Sequence, residues 1–434
     1  MTKRPLPIVT IRLDKIVGGG QALGTLEDGR KLFVWGGLPG ELVRAQITRK
    51  KSHFAEGYVV EVLESSVERI EPRDPQSYLS TSPWQIMTFD AETHYKATLI
   101  EEAFQLHNIE LSQPTDVYSD GVEYGYRNKI EFSFWADKET SYLDFAFFRR
   151  GSKGKVAIES TALASPAITH ASQQIIEVLR DHHVSGRDLK TLLIRSNQSG
   201  DVAWQLYVKE ESFPSGTIIN DLKSIGIYGE IIYSNPKSPA SVITKRLDVT
   251  HDSQKVLSDT IRGVRFSYAT EGFFQINPPV YEKALDDMSK FVAAGQRTVD
   301  LYSGVGTIGL TIGGPGVTLV ELNEHAVREM RANIDALGLD ATPVLAASEN
   351  ALDYIESDKL VIVDPPRAGL HESVIERLLE VYPERIIYLS CNPVTQARDV
   401  MRLASAYKIA AHQGYNFFPR TPHIEHLVVL DRSQ

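Results

Sequence analysis

The chain has 434 residues, a formal net charge of −10 and a single cysteine, so neither an intramolecular disulfide nor a cysteine-rich metal site can be built. Its hydrophobic fraction of 42% and charged fraction of 24% are those of an ordinary soluble globular protein, long enough for about two or three domains. The negative balance argues against nucleic-acid binding by bulk electrostatics, although a local basic groove can still supply that attraction.

Residues 1–66 read as a small β-rich module. The opening Met1-Thr2-Lys3-Arg4-Pro5 lacks the apolar core of a signal peptide, and no later stretch is apolar for long enough to span a bilayer. A reducing, cytoplasmic setting without a membrane partner is therefore expected. Runs at 8–11, 31–35, 43–48 and 58–63 carry strand character, separated by Gly18-Gly19-Gly20, Asp28-Gly29 and Pro39-Gly40 as turns. Strands at this spacing suggest a five-stranded closed barrel of the kind that binds oligonucleotides. Arg49, Lys50, Lys51 and Phe54 form a basic loop with an aromatic residue. Such a loop suits phosphate contact and base stacking; a solvated hairpin is the alternative.

Residues 67–265 read as a central α+β region. Residues 67–90 hold Pro72, Pro75 and Pro83 among polar residues and look like a linker. Residues 94–107 have helical periodicity, and 94–118 could pack on the C-terminal region. Arg127 and Lys129 precede an alternating strand at 130–135, with a partner strand at 143–148. Arg149 and Arg150 open a second basic patch running to Lys155, for which a solvated turn is the favoured reading when it is taken alone. Ser165-Pro166 is a helix start for 166–182, and 191–195 with 202–208 reads as a hairpin. No catalytic constellation is visible here.

From residue 266 to 434 strands alternate with helices. Strands at 298–302, 317–321, 360–363, 385–389 and 426–430, with a helix at 324–337, imply a mainly parallel sheet covered on both faces. Gly304-Val305-Gly306-Thr307-Ile308-Gly309 follows the first of these strands. It marks a tight backbone turn close to a ligand, and Glu321 at the end of the next strand could accept from ribose hydroxyls. That pattern serves NAD and S-adenosylmethionine equally, and Glu321 alone could be an ordinary surface carboxylate. Asp364-Pro365-Pro366-Arg367 follows an apolar strand and makes a stiff loop, suited to holding a flat base or simply to turning the chain. Ser390-Cys391-Asn392-Pro393 places the lone thiol where a strand ends, the edge at which open α/β sheets bind ligands. An inert buried cysteine is the other reading. Glu425 begins the last strand; if that strand is antiparallel, it lies at the same edge as Cys391, giving a nucleophile and a proton acceptor.

Taken together these motifs resemble the RNA uridine-5-methyltransferases. Asp300-Leu301-Tyr302-Ser303-Gly304-Val305-Gly306, Asp364-Pro365-Pro366-Arg367, Ser390-Cys391-Asn392-Pro393 and His423-Ile424-Glu425 look like that family's successive motifs, with Phe274-Gln275-Ile276-Asn277 just upstream. The N-terminal module resembles the TRAM domain, an RNA-binding barrel. The resemblance implies a Rossmann-like class I methyltransferase domain at 266–434, an α+β central domain at 67–265 and a barrel at 1–66. It implies S-adenosylmethionine bound near Gln275, Tyr302, Gly304, Gly306, Thr307, Glu321, Asn350 and Asp364, Cys391 as nucleophile and Glu425 as base. Substrate contacts would fall on Arg49, Lys50, Lys51, Phe54, Arg127, Lys129, Arg149, Arg150, Pro365, Pro366 and Arg367.

The implied substrate is a uridine in RNA, ribosomal RNA being favoured by the barrel and the length, transfer RNA being the alternative. No obligatory protein partner is evident. Many members hold an iron–sulfur cluster on four cysteines; the corresponding positions fall near Asp74, Ser80, Pro83 and Thr161, so no cluster and no metal are expected. Two rival classes remain at this level. An NAD-dependent oxidoreductase would use the glycine loop but leave Cys391 and Glu425 without a purpose. A catalytically silent RNA-binding protein would leave the whole set of chemical residues idle.

Overall fold

The computed structural model describes residues 6–137, 142–150, 154–224, 226–250 and 256–433. The strands Ile8–Ile16, Ala22–Thr25, Lys31–Trp35, Leu42–Lys50 and Phe54–Glu64 close into a barrel, the fifth lying between the third and the fourth. Alternation drives the closure: Ile11, Leu13, Leu32, Val34, Val43 and Ala45 are buried inside, while the residues between them face out. The barrel is fastened to the rest of the chain at Gly20, whose carbonyl accepts from Trp84 Nε1 at 2.9 Å. A Cβ at Gly20 would fall 2.1 Å from Pro422 Cβ, so only glycine permits this contact.

The linker is tied down by Asp74. Its carboxylate accepts from the backbone N–H of Ala162 (3.0 and 3.1 Å) and from Gln85 Nε2 (3.0 Å), with Thr161 Oγ1 at 3.4 Å. These residues span the region where the family resemblance places cluster cysteines. With Cys391 as the sole cysteine of the chain, four thiolates cannot be assembled, and an ordinary hydrogen-bond network joins the two segments instead. Asp74→Ala strands several of these polar groups and is expected to cost about 2 kcal/mol, lowering the thermal midpoint by a few degrees. An unchanged midpoint would show that the linker is held elsewhere.

The central sheet has seven strands, in the order Lys245–Val249, Tyr228–Tyr233, Val202–Val208, Leu189–Ser196, Lys129–Ala136, Leu143–Phe148 and Lys155–Ile158. Helices Pro166–Asp181 and Ser215–Ser224 share its core. Ile168, Ala171, Ile175 and Leu179 recur at helical spacing and are buried in one cluster with Phe132, Leu192 and Leu206. Ser165 caps the first helix, its side chain accepting from Ile168 N. Residues 151–153, part of the second basic patch, lie outside the described residues.

The largest sheet has eight strands, in the order Ala341–Leu345, Val317–Glu321, Thr298–Leu301, Leu360–Val363, Arg385–Ser390, Glu425–Arg432, Tyr407–Tyr415 and Val117–Tyr118. Its first five strands run parallel, and the central ones are buried along their length, which is why they read as unbroken apolar runs. Glu425–Arg432 is antiparallel to Arg385–Ser390, with Ser390 opposite His426. The helix Phe89–Gln105 lies against the helix Pro393–Leu403. It starts earlier than the periodicity suggests because Thr88 caps it, accepting from Ala91 N, with Asp90 and Glu92 in the first turn. Among the described residues no helix is long and apolar enough to cross a membrane.

Candidate active site

Parallel strands deliver their C-terminal ends to one edge of the sheet. Tyr302 to Gly304, Asp364 to Arg367 and Cys391 all follow strands there. The antiparallel last strand starts at the same edge, so Glu425 arrives beside them. Together they line one cleft of about 1320 Å³. That exceeds the roughly 300–1,000 Å³ of a single small-molecule site, leaving room for two ligands.

In the first half of the cleft the glycine loop makes the wall. Gly304 N donates to Glu321 Oε2 at 2.9 Å, and Asn323 N donates to Glu321 Oε1 at 2.7 Å. Gly306 starts the helix Thr307–Ile312 in the left-handed region, at φ 86°. A Cβ at Gly309 would meet Leu319 Cδ2 at 2.2 Å, so the helix packs onto the sheet as closely as a dinucleotide-type loop requires. Beneath it Asp300 is fully buried; Oδ2 accepts from Gly309 N at 2.9 Å, and Oδ1 has no hydrogen-bond partner among the described residues. Burial lifts its carboxyl well above the usual range, with the charges of Asp364 and Glu321 adding to the shift and the bond from Gly309 N opposing it. Thr307 Oγ1 is 2.8 Å from Tyr281 Oη, and Gln275, Tyr302 and Glu321 also line the cleft. Asn350 does not; it is exposed on the turn Ser348–Asn350, and Ser348 and Glu349 face the cleft in its place.

The second half holds the reactive groups. Burial raises the Cys391 thiol to about 11, reinforced by the charges of Glu425 and Asp364; the Arg367 guanidinium pulls the other way through its charge and a hydrogen bond. Burial raises Asp364 to about 7. It lifts Glu425 well above the carboxylate range, with Asp364 adding to the shift and Arg367 opposing it. Two carboxyls recessed together therefore resist both being ionised near neutrality.

The helix Pro393–Leu403, which leaves directly from Cys391, holds both flanks of this centre. Towards the Pro365-Pro366 loop, Asn392 Nδ2 and Thr395 Oγ1 donate to Arg367 O at 2.8 and 3.1 Å. Asp399 Oδ2 accepts from Leu370 N (2.8 Å) and Tyr388 Oη (3.0 Å). Towards the last strand, the buried Gln396 donates from Nε2 to Tyr388 O (3.0 Å) and His426 O (2.9 Å), one carbonyl from each strand that carries a reactive group. Its own Oε1 is 2.7 Å from His426 Nδ1. Sequence reasoning missed Gln396 and Asp399. Their signal was a polar pair within the buried stripe Pro393, Ala397, Val400, Leu403.

The loop before Glu425 is fixed from the helix Phe89–Gln105. Buried Lys96 pairs with Glu92 at 2.9 Å and donates to Asn416 Oδ1 (2.6 Å) and Phe418 O (3.1 Å). Glu92 in turn accepts from Arg420 N, a residue held at φ 65°. Buried ionic groups of this kind cost solvation energy and are best explained by the single geometry they impose.

The residues proposed for RNA divide. Lys129 Nζ donates to Glu271 O (3.1 Å) and Gly272 O (3.3 Å), while Asn128 Nδ2 donates to Gln275 O (2.8 Å); this stretch of chain steadies the segment carrying Gln275. Arg195 joins them at Ala269 O and Gly272 O. Arg150 donates to Leu79 O at 2.7 Å and lies over the Trp35 ring, joining the central sheet to the barrel. Arg49 pairs with Glu56, and Phe54 packs on Phe33 with centroids 5.8 Å apart. Lys50, Lys51 and Arg149 are exposed. Arg127 sits by the Phe418 ring, and Pro365, Pro366 and Arg367 line the cleft.

A family model described as tRNA (Uracil-5-)-methyltransferase matches residues 89–433. The chain belongs to this family. It is 29% identical to an uncharacterized RNA methyltransferase of Enterococcus faecalis, over 93% of this chain and 92% of that protein. A second such protein, from Thermotoga maritima, is 28% identical over 97% of this chain and 98% of its own length. In fold the chain is similar to the solved Pyrococcus abyssi tRNA (uracil-54, C5)-methyltransferase in complex with S-adenosyl-L-homocysteine, with a TM-score of 0.75. The match covers 97% of this chain and 100% of that one at 22% identity. The family, fold class and enzyme class read from the motifs are those found: an RNA methyltransferase of the uracil-5 family, with its barrel. This family member leaves the oxidoreductase and silent-binder readings without support.

Proposed function

We propose that the protein transfers a methyl group from S-adenosylmethionine to C5 of a uridine in RNA through a covalent bond between Cys391 and C6 of the base. The observation that carries this reading is the antiparallel last strand, which brings Glu425 to the sheet edge of Cys391 in the cleft walled by the glycine loop. The residues fit the cofactor: a close-packed glycine turn, a carboxylate at the next strand end, and recessed acids suited to a cation. When bound, S-adenosylmethionine supplies an electrophilic methyl on a sulfonium.

Cys391 adds as thiolate to C6, making C5 carbanion-like. Arg367 favours the ionised thiol. Asp364 and the stiff Pro365-Pro366 loop hold the base flat against the methyl donor. After methyl transfer Glu425 removes the C5 proton, the double bond reforms and the thiolate leaves. A uridine within folded RNA must be extruded to reach Cys391. Lys50, Lys51 and Arg149 offer exposed charge for the flanking strand.

Ribosomal RNA is the substrate suggested by the barrel and the length. Transfer RNA is the second reading, favoured by the description of the family model and by the solved structure of similar fold. Methyl-labelled S-adenosylmethionine with total unmodified RNA, followed by mapping of the label, tests both. A discrete ribosomal site supports the first, the T-loop of transfer RNA the second, and no labelled 5-methyluridine rejects the activity.

Proton release checks the cleft independently of turnover. Asp364 titrates near 7, so it holds part of a proton at neutral pH. A cation entering the cleft lowers that pKa and expels the proton; a neutral ligand does so less. Calorimetry in two buffers of different ionisation enthalpy should show proton release with S-adenosylmethionine and less with S-adenosylhomocysteine. Identical enthalpies in both buffers would contradict the charge assignment.

A further inference from the structure

Two residues before Glu425, the half-buried His423 ring lines the same cleft as Cys391 and Arg367. Arg367 Nη2 lies 3.1 Å from His423 Nδ1. A guanidinium only donates, so Nδ1 must be the acceptor and the neutral ring carries its hydrogen on Nε2. No other hydrogen bond of the ring is present among the described residues. The ring is steadied by an edge-on contact with Phe418, centroids 5.6 Å apart, and the backbone N–H of His423 donates to Thr421 Oγ1 at 3.3 Å. Burial and the positive charges of Arg367, Arg127, Lys96 and Arg150 hold its pKa down to about 4. At neutral pH it therefore stays an uncharged donor and does not serve as a general acid.

We propose that His423 is a further catalytic residue, whose Nε2–H donates to O4 of the uracil and stabilises the negative charge that develops there when Cys391 adds to C6. This rests on the uracil-C5 reading above. The thiolate pair forms the S–C6 bond; the C5–C6 π pair moves to make a C4–C5 double bond, and the carbonyl pair moves onto O4. That oxygen becomes an enolate and needs a donor already in place. When C5 takes the methyl group, the C4–O4 carbonyl reforms, and His423 keeps its proton throughout. A fixed donor aimed at developing charge in a recessed site is typically worth about 10²- to 10³-fold in rate.

The test compares His423→Phe, which keeps a ring against Phe418 but has no donor, with His423→Gln, whose amide offers an N–H at the Nε2 side. Methyl transfer is measured with wild type and Cys391→Ala alongside. The Phe variant should lose on the order of 10²-fold in kcat, with RNA and S-adenosylmethionine affinities nearly unchanged. The Gln variant should recover at least about tenfold of it, and covalent capture of 5-fluorouridine RNA should slow in parallel with kcat. A Phe variant within about threefold of wild type, a Gln variant no better than Phe, or a loss confined to KM would overturn the role. If the Phe variant does not fold, His423→Asn, with its amide at the Nδ1 side, replaces it, and Gln must exceed Asn. No 5-methyluridine from wild type would overturn the uracil-C5 reading and this role together; 5-methyluridine from wild type with an unimpaired donorless variant overturns this role alone.

Discussion

Cys391→Ala is expected to fold, to bind RNA and cofactor, and to transfer no methyl group. Uracil C5 is too poor a nucleophile to attack a sulfonium methyl without prior addition at C6, and the chain contains no other thiol. The loss should be on the order of 10⁴-fold or more, the scale on which enzymes fail without their nucleophile. Folding should survive because Cys391 is only half-buried, so removing the sulfur opens little cavity. Cys391→Ser should be nearly as inactive, since a hydroxyl in a cleft that resists negative charge ionises far less readily than a thiol. Label transfer to RNA at a tenth of the wild-type rate by Cys391→Ala would reject the nucleophile.

Glu425→Gln is expected to separate methyl transfer from release. The amide keeps the shape of the carboxyl while removing one of the two acidic groups that oppose ionisation of the Cys391 thiol. Addition and methylation should therefore proceed once. Without a base for the C5 proton the C6–S bond cannot break, and protein and RNA remain joined. A band of methylated RNA–protein adduct should accumulate on a denaturing gel in proportion to enzyme, with multiple turnover down by about 10²- to 10⁴-fold, as for loss of a general base. The variant should be no less stable than wild type, because a buried carboxyl beside Asp364 is held at a cost in the free protein. Normal turnover with no adduct would move the base to another group.

How far the sequence foretold this centre depended on the kind of signal. The strands Val317–Glu321 and Leu360–Val363 and the helix Glu324–Leu337 stood out at their actual ends, because buried parallel strands are unbroken apolar runs and Asn323 and Gly338 cap the helix. The direction of the last strand could not be read, since either direction buries the same residues; yet that direction alone decides whether Glu425 meets Cys391. Lys129 and Arg150 looked like RNA contacts because charge in a motif says nothing of the carbonyls that wait for it across the fold. Asn350 was placed by local likeness, and a turn of three residues directs Ser348 and Glu349 at the cleft instead. The buried network around Glu92, Lys96 and Arg420 joins residues more than 300 apart in the chain, a separation no local pattern reveals.

The central claim is that Cys391 forms a covalent bond with C6 of a uridine in RNA. Its most direct test is mass spectrometry of the protein after trapping with 5-fluorouridine-substituted RNA and S-adenosylmethionine, where fluorine replaces the hydrogen that Glu425 must remove. The expected result is a methylated nucleotide adduct mapped to the peptide containing Ser390-Cys391-Asn392-Pro393 and absent from Cys391→Ala. Methylated RNA released free from the wild-type protein, with no adduct on Cys391, would contradict the covalent route.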